Sequence, residues 1–165
     1  MQNSPLVAVI MGSQNDKEAL LPIKEIFNRL EIPFMSRVIS AHRTPKECAL
    51  FAQNAQSKGI KVIIAAAGAS AALPGTLAAH SQLPVIGIPL NATALLGLDA
   101  LFAIAQMPAS TPVATMAIGN SGAKNAALLA IRILALSDIT IAKRAQHYQQ
   151  EIYQKAKAQS ELEVF

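Results

Sequence analysis

The sequence predicts an α/β fold in which a parallel sheet of five strands lies between two layers of helices. Short apolar runs of strand length alternate five times with longer segments whose apolar residues recur at helical spacing. Turns containing small or polar residues separate them, so each helix is predicted to cross over to the next parallel strand. At this length, the strand order that we expect is the flavodoxin-like 2-1-3-4-5. The chain therefore predicts a single domain over residues 1–165, with its core in residues 6–137.

The first strand and helix show the pattern. Residues 6–11 form a continuous apolar run between Pro5 and Gly12, as expected of a strand that is covered on both faces. A turn follows, and then apolar residues from Leu20 to Leu30 recur at helical spacing. Asn15 or Asp16 is the expected N-cap of this first helix.

Four further pairs and one extra helix complete the predicted fold. The pairs are strand 32–39 with helix 45–57, strand 62–66 with a helix at Pro74, strand 84–88 with helix 93–105, and strand 113–118 with helix 123–136. Residues 119–122 are expected to form a loop. Asp138 is expected to cap a polar C-terminal helix, about 138–158, and residues 160–165 are expected to fray. The apolar residues of this C-terminal helix are too sparse to face a core, so we expect the helix to pack on a neighbouring subunit.

The distribution of charge limits the classes of partner. The net charge is +4, but the basic residues are scattered and aromatic residues are few, which disfavours nucleic-acid binding. Between Lys61 and Lys124 the only formally charged side chain is Asp99. Prolines and polar residues divide this segment into pieces too short to span a membrane. We therefore expect much of it to lie inside the domain or against sister subunits of a homo-oligomer.

Cysteine and histidine usage argues against disulfide and metal chemistry. Cys48 is the only cysteine, which excludes an intrachain disulfide and is expected of a protein in a reducing cytoplasm. We expect it in the core rather than as a nucleophile. Residues 1–5 show no signal-peptide pattern. His42, His80 and His147 are far apart in sequence, without paired ligands at helical spacing, so we expect no metal site and place His80 at the surface.

The residues with the strongest chemical signal are Ser40-Ala-His-Arg-Thr-Pro45, which end a strand and open a helix. Thr44 is the expected N-cap, Pro45 the first helical residue and Glu47 the capping-box carboxylate. Such a junction attracts anions through the free N–H groups and the dipole of the helix. Ser40 adds a hydroxyl and Arg43 a forked cation, while His42 adds an imidazole, which can donate or accept a proton.

Two other loops are predicted to meet this junction at the carboxyl edge of the sheet, where ligands of open α/β folds bind. The first supplies Gly12, Ser13 and Asp16, and the third supplies Gly68 and Ser70. A phosphorylated ribose fits this set, because a carboxylate accepts hydrogen bonds from ribose hydroxyls and glycine permits close approach. Neither a dinucleotide-binding glycine motif nor a correctly spaced P-loop is present.

The motifs resemble those of the class I N5-carboxyaminoimidazole ribonucleotide mutases of purine biosynthesis, also called the catalytic subunit of phosphoribosylaminoimidazole carboxylase. The similarity covers about residues 6–138. It is carried by Val-Ile-Met-Gly-Ser at 9–13 with Asp16, by Ser-Ala-His-Arg-Thr-Pro at 40–45, by Leu-Pro-Gly at 73–75, by Gln-Met-Pro at 106–108, and by Ala-Ile-Gly at 117–119 with Asn-Ala-Ala-Leu-Leu-Ala at 125–130.

The resemblance implies a flavodoxin-like subunit of a homo-octamer, with sites shared between subunits and no cofactor. It implies that His42 moves the proton as general acid and base while a carboxylate leaves a nitrogen as CO2 and is recaptured at a ring carbon. The substrate-binding residues that we expect are Gly12, Ser13, Asp16, Ser40, Arg43, Gly68, Ser70 and Leu73.

The third loop departs from the family pattern. Members usually have Gly-Gly-Ala-Ala-His-Leu-Pro-Gly, whereas this chain has Ala72 in place of the histidine. The family's carboxylases, which take free CO2, carry a serine at the position of Ser70 but a lysine at that of Arg43, so Arg43 and Pro45 favour the mutase. Two alternatives stay open: such a carboxylase, and a ribonucleotide-binding paralogue without catalysis.

Overall fold

The computed structural model describes residues 4–160 and has one parallel five-stranded sheet in the order 2-1-3-4-5, which confirms the predicted flavodoxin-like topology. The strands are β1 (Val7–Met11), β2 (Phe34–Val38), β3 (Val62–Ala67), β4 (Val85–Pro89) and β5 (Ala114–Thr115). The helices are α1 (Leu21–Arg29), α2 (Pro45–Ala55), α3 (Ala72–Ala79), α4 (Leu98–Ala105), α5 (Gly119–Ala135) and α6 (Ile139–Ser160).

Two apolar clusters cover the two faces of the sheet. On one face Val9 packs with Ile23 of α1 and Ala126 of α5. On the other, Ile10 packs with the helices α2, α3 and α4, for example with Leu77. Because β1, β3 and β4 are buried on both faces, their sequences are continuous apolar runs rather than alternating ones.

The C-terminal helix α6 begins where the sequence predicts. The Asp138 carboxylate accepts hydrogen bonds from the backbone N–H groups of Thr140 and Ile141, at 2.8 and 3.1 Å. Ile141 is buried in the same core as α5, so the first half of α6 packs on its own subunit, which the sparse apolar pattern had not indicated. Arg29 pairs with Glu151 and further fastens the helix. Of residues 160–165, which were expected to fray, Ser160 is the last residue of α6 and 161–165 lie outside the described residues.

Three helix starts differ from the prediction. Ser13, not Asn15 or Asp16, is the N-cap, and it caps a 3-10 helix, Gln14–Leu20, that precedes α1. Helix α3 begins at Ala72, two residues before Pro74. Helix α4 begins at Leu98 rather than 93, because Leu96 and Gly97 adopt left-handed backbone angles that a helix cannot include.

The last strand and the helix after it also differ. The strand β5 is only two residues long and pairs with β4 alone, as an edge strand. The expected loop at 119–122 is instead the first turn of α5. Gly122 permits this turn, because a Cβ there would lie 1.7 Å from the carbonyl oxygen of Ala117.

Candidate active site

A cavity of about 360 Å³ opens at the carboxyl edge of the sheet, where the loops after β1, β2, β3 and β4 meet. Its walls combine polar side chains from the first two loops with small side chains from the other two. The lining residues are Gly12, Ser13, Asp16, Ser40, Ala41, His42, Arg43, Ala67, Gly68, Ala69, Ala71, Ala72, Leu73 and Ala92. The cavity thus contains every predicted site residue except Ser70, which is exposed on the turn before α3.

The loop after β1 is held by a capping box. The backbone N–H of Ser13 donates to Asp16 Oδ2 at 3.0 Å, and the Ser13 hydroxyl accepts from the N–H of Asn15 at 3.2 Å. These bonds fix the Asp16 carboxylate at the cavity wall. Burial raises the pKa of Asp16 above its ordinary value, an effect that the Ser13 N–H and the nearby Arg43 charge only partly offset.

The loop after β2 is joined to the first loop by Arg43. Its Nη2 donates to the Gly12 carbonyl at 2.8 Å, and its Nε donates to the Ser40 hydroxyl at 3.3 Å. The backbone N–H of Arg43 donates to the same hydroxyl at 3.2 Å. The guanidinium is therefore held in place at the cavity before any ligand binds, with its charge directed at the same space as Ser13 and Asp16.

Thr44 precedes α2, as predicted, but its hydroxyl does not cap the helix. The hydroxyl donates to the Ser40 carbonyl at 3.0 Å and accepts from the Ser40 N–H at 3.3 Å. The expected capping box with Glu47 is also not formed. The hydroxyl instead closes the turn from Ser40 to Thr44, which presents His42 and Arg43.

His42 lies at the tip of this turn, exposed to solvent and facing the cavity. Among residues 4–160 no hydrogen bond to its ring is present, so both ring nitrogens are open to a bound molecule. His80 is exposed, and Cys48 is fully buried, with its pKa raised by that burial; both agree with the predictions that gave them no role in the site.

The third loop contributes small, apolar walls. Ala69 and Ala71 have φ angles of 52° and 40°, in the left-handed region that costs an alanine about 1–2 kcal/mol. The turn is closed by a hydrogen bond of 3.0 Å from the Ala71 N–H to the Gly68 carbonyl. Ala72, at the position of the family histidine, lines the cavity with Leu73, so the departure from the family pattern lies in the wall itself.

The loop after β4 supplies Ala92, a wall residue that our sequence analysis missed. A Cβ added to Gly68 would lie 2.4 Å from the Ala92 Cβ, so the two loops touch at this point. The position of β4 beside β3 could have indicated this contact, because the carboxyl ends of adjacent parallel strands meet. The alanine itself carries no chemical signal.

Other parts of the described chain are weaker candidates for a functional site. A second cavity of about 90 Å³, beside β1 and α1, is mainly apolar and holds no acid–base group other than two lysines. In residues 4–160, no three histidine, cysteine, aspartate or glutamate side chains are grouped to hold a metal ion. None of the helices in this range is both long and apolar enough to cross a membrane.

The fold and the cavity define an α/β protein of flavodoxin-like topology with a polar cavity at the carboxyl edge of its sheet. A family model described as AIR carboxylase matches residues 6–155, and the chain belongs to this family.

Several similar proteins share one name. The chain is 50% identical over 142 residues to the N5-carboxyaminoimidazole ribonucleotide mutase of Brucella melitensis, covering 86% of this chain and 88% of that protein. The Bacillus subtilis protein of the same name is 49% identical, covering 85% and 86%. The crystal structure of Treponema denticola PurE matches with a TM-score of 0.84 at 29% identity, covering 93% of this chain and 95% of that one. These similarities confirm the resemblance seen in the motifs.

Proposed function

We propose that this chain is an N5-carboxyaminoimidazole ribonucleotide mutase, which makes 4-carboxyaminoimidazole ribonucleotide in de novo purine biosynthesis. Relatives of that name are 45–50% identical over most of the chain. The observation that carries the proposal is that His42 opens onto the same cavity as Ser13, Asp16 and Arg43. A proton-transferring group and an anion-binding set therefore face one bound molecule.

The first step of the proposed activity is binding of the ribose phosphate. Arg43, already fastened to Gly12 and Ser40, presents its charge without a further loss of side-chain freedom. The Ser13 and Ser40 hydroxyls can donate to phosphate oxygens, and the Asp16 carboxylate can accept from ribose hydroxyls. This places the imidazole base toward His42 and the alanine walls.

The chemical steps need one proton and one group that carries it. His42, protonated, gives its proton to the exocyclic nitrogen as the bond from that nitrogen to the carboxylate breaks and CO2 leaves. The bond from C4 to CO2 then forms, and neutral His42 removes the C4 proton. The imidazole ends in the state in which it began, so a single group serves as acid and base.

The walls of the cavity suit a reaction that holds CO2 for an instant. Gly68, Ala69 and Ala71 are small and offer no side-chain hydrogen bonds, and closure over the bound substrate would exclude water. We further propose that Ser70 takes over part of the carboxylate contact of the family histidine, which Ala72 replaces. Since Ser70 does not line the cavity of the subunit, this contact requires its turn to shift toward the bound substrate. A Ser70→Ala variant with unchanged turnover and substrate affinity would rule out this contact.

We also propose that the protein acts as a homo-oligomer, an octamer by analogy with its family, in the cytoplasm. Leu95, Leu96, Leu98 and Phe102 form an exposed apolar patch, with Leu96 66% exposed. Ile152 and Tyr153 are exposed on the second half of α6, which we expect to pack on a neighbouring subunit. Patches of this kind are typical of surfaces that other subunits cover.

A spectrophotometric assay with purified protein and N5-carboxyaminoimidazole ribonucleotide tests the function. We expect 4-carboxy product without added bicarbonate, and a loss of about 100-fold or more in kcat for His42→Asn. His80→Asn is the matched control, because His80 is exposed and outside the cavity, and its rate should equal that of the wild type. Product formation only when bicarbonate is supplied would instead identify a carboxylase, and binding without turnover would identify a non-catalytic paralogue.

A further inference from the structure

The β4–α4 loop, residues 90–97, contributes Ala92 to the cavity wall and rests on β3 and the third loop. The Leu90 N–H donates to the Ala67 carbonyl at 2.9 Å, and Ala92 lies against Gly68. Residues 93–97 connect Ala92 to α4, which begins at Leu98. What holds these residues therefore also bears on the position of Ala92 over Gly68.

The turn at 93–97 is strained; its leucines are weakly packed, and Gly97 lies against Ile118 and Leu90. Leu96 and Gly97 have φ angles of 53° and 88°, and a left-handed leucine persists only where its surroundings impose it. The side chains of Leu95 and Leu96 are more than half exposed in the subunit, so packing within the subunit does not hold them. Backbone hydrogen bonds of 3.1 Å, from the Leu96 N–H to the Thr93 carbonyl, and 3.0 Å, from Leu98 to Leu95, close the turn on itself.

A side-chain hydrogen bond joins this turn to α4. The Thr93 hydroxyl accepts from the Leu95 N–H at 3.1 Å and donates to Asp99 Oδ2 at 2.8 Å. Asp99 lies in the first turn of α4, where the helix dipole favours a carboxylate, and α4 is anchored in the core by Ile104.

The Asp99 carboxylate is only half satisfied by hydrogen bonds within the described chain. Its Oδ1 is shielded from solvent and has no hydrogen-bond partner among residues 4–160. The unpaired oxygen reduces what Asp99 contributes to stability, whereas the other oxygen holds the Thr93 hydroxyl. Its side-chain hydrogen bond within the described chain is to the Thr93 hydroxyl, which belongs to the wall loop.

We propose that Asp99 and Thr93 are positioning residues that keep Ala92 seated over Gly68, so that CO2 cannot leave the cavity through this wall between its release and its recapture. The proposal rests on the proposed mutase function. Neither residue lines the cavity, and both act through Ala92. If the contact is lost, CO2 should escape after the nitrogen–carbon bond breaks, leaving the decarboxylated aminoimidazole ribonucleotide as a side product.

The test measures, for each enzyme, the ratio of decarboxylated ribonucleotide to 4-carboxy product formed from N5-carboxyaminoimidazole ribonucleotide, after subtraction of a blank without enzyme. This ratio does not depend on how much of the enzyme is folded, whereas kcat does. Displacement of an active-site wall by about 1 Å can change the rate of a reaction step by up to about 100-fold. We therefore expect Thr93→Val to raise the ratio about fivefold or more. Asp99→Ala should raise it similarly, and Thr93→Ser, which retains the hydroxyl, should restore the wild-type ratio.

Each outcome decides between the claims. An unchanged ratio in both Thr93→Val and Asp99→Ala, with product still formed, would overturn the positioning role while leaving the proposed function intact. An equal rise in Thr93→Ser would overturn the role of the hydroxyl contact. Wild-type protein that forms no 4-carboxy product would overturn the proposed function itself, and the retention of CO2 with it.

Discussion

Replacing Gly68 by alanine would push the β4–α4 loop off the third loop. The new Cβ would lie 2.4 Å from the Ala92 Cβ and 3.3 Å from the Leu90 carbonyl oxygen. Carbon atoms in contact prefer about 3.5–4.0 Å, so a shift of about 1 Å is needed. The Ala92 Cβ is fixed to the backbone and cannot rotate away, so the loop itself must move.

This displacement lowers the free energy of unfolding. Overpacking of this kind costs about 1–3 kcal/mol, which corresponds to a fall in Tm of about 2–4 °C for each kcal/mol in a domain of this size. Thermal unfolding followed by circular dichroism measures it. Gly12→Ala is the matched control at the same cavity, because the nearest atom to its new Cβ is Asp16 Oδ2 at 3.9 Å, and its Tm should stay near that of the wild type.

A compensating change makes the prediction specific. Removing the opposing methyl group in a Gly68→Ala, Ala92→Gly double variant should recover most of the lost Tm, because the pair then has one Cβ at the contact instead of two. The variants also couple by more than about 0.5 kcal/mol if the residues touch as described. A Gly68→Ala protein as stable as the wild type, or a double variant no more stable than the single one, would refute the reasoning.

Two further predictions concern the polar walls. Because burial raises the pKa of Asp16 above 3.8, its folded form holds a proton more tightly than its unfolded form, so the stability it contributes is full below about pH 3.8 and is lost as pH rises through the raised folded pKa. As pH rises through that folded pKa, the Tm of Asp16→Asn should therefore fall less than the Tm of the wild type. The substrate affinity of the variant should be lower than that of the wild type. A Tm difference between the two proteins that stays constant with pH would contradict this. Arg43→Lys cannot reproduce the forked contacts to Ser40 and Gly12, so KM should rise about tenfold or more, with kcat less affected, and steady-state kinetics with an unchanged KM would contradict it.

The fold was predictable because its signals are local and repeated. Each buried strand is a continuous apolar run, each helix carries its apolar face at helical spacing, and these patterns place five strands and six helices in order. The differences between the predicted and the observed elements lie mainly at the ends of the elements. Thr44 is a residue type that often caps helices, but its hydroxyl forms hydrogen bonds with the Ser40 backbone because of the shape of the turn.

The candidate site was predictable only in part. His42, Arg43, Ser13 and Asp16 carry chemical functions that stand out in a chain with few charges, and the topology brings their loops together. Ala92 has no such function, and only the spatial contact with Gly68 reveals it as a wall.

The amino-acid sequence by itself determined the order of the strands and helices and the polar groups that gather at the carboxyl edge, because hydrophobic periodicity and side-chain chemistry are properties of neighbouring residues. Only the tertiary structure decided how Arg43 is held, where α4 and α5 begin, and which loop Asp99 fastens. Those features depend on contacts between segments that are distant along the chain or on left-handed backbone angles at single residues, and neither leaves a periodic trace in the sequence.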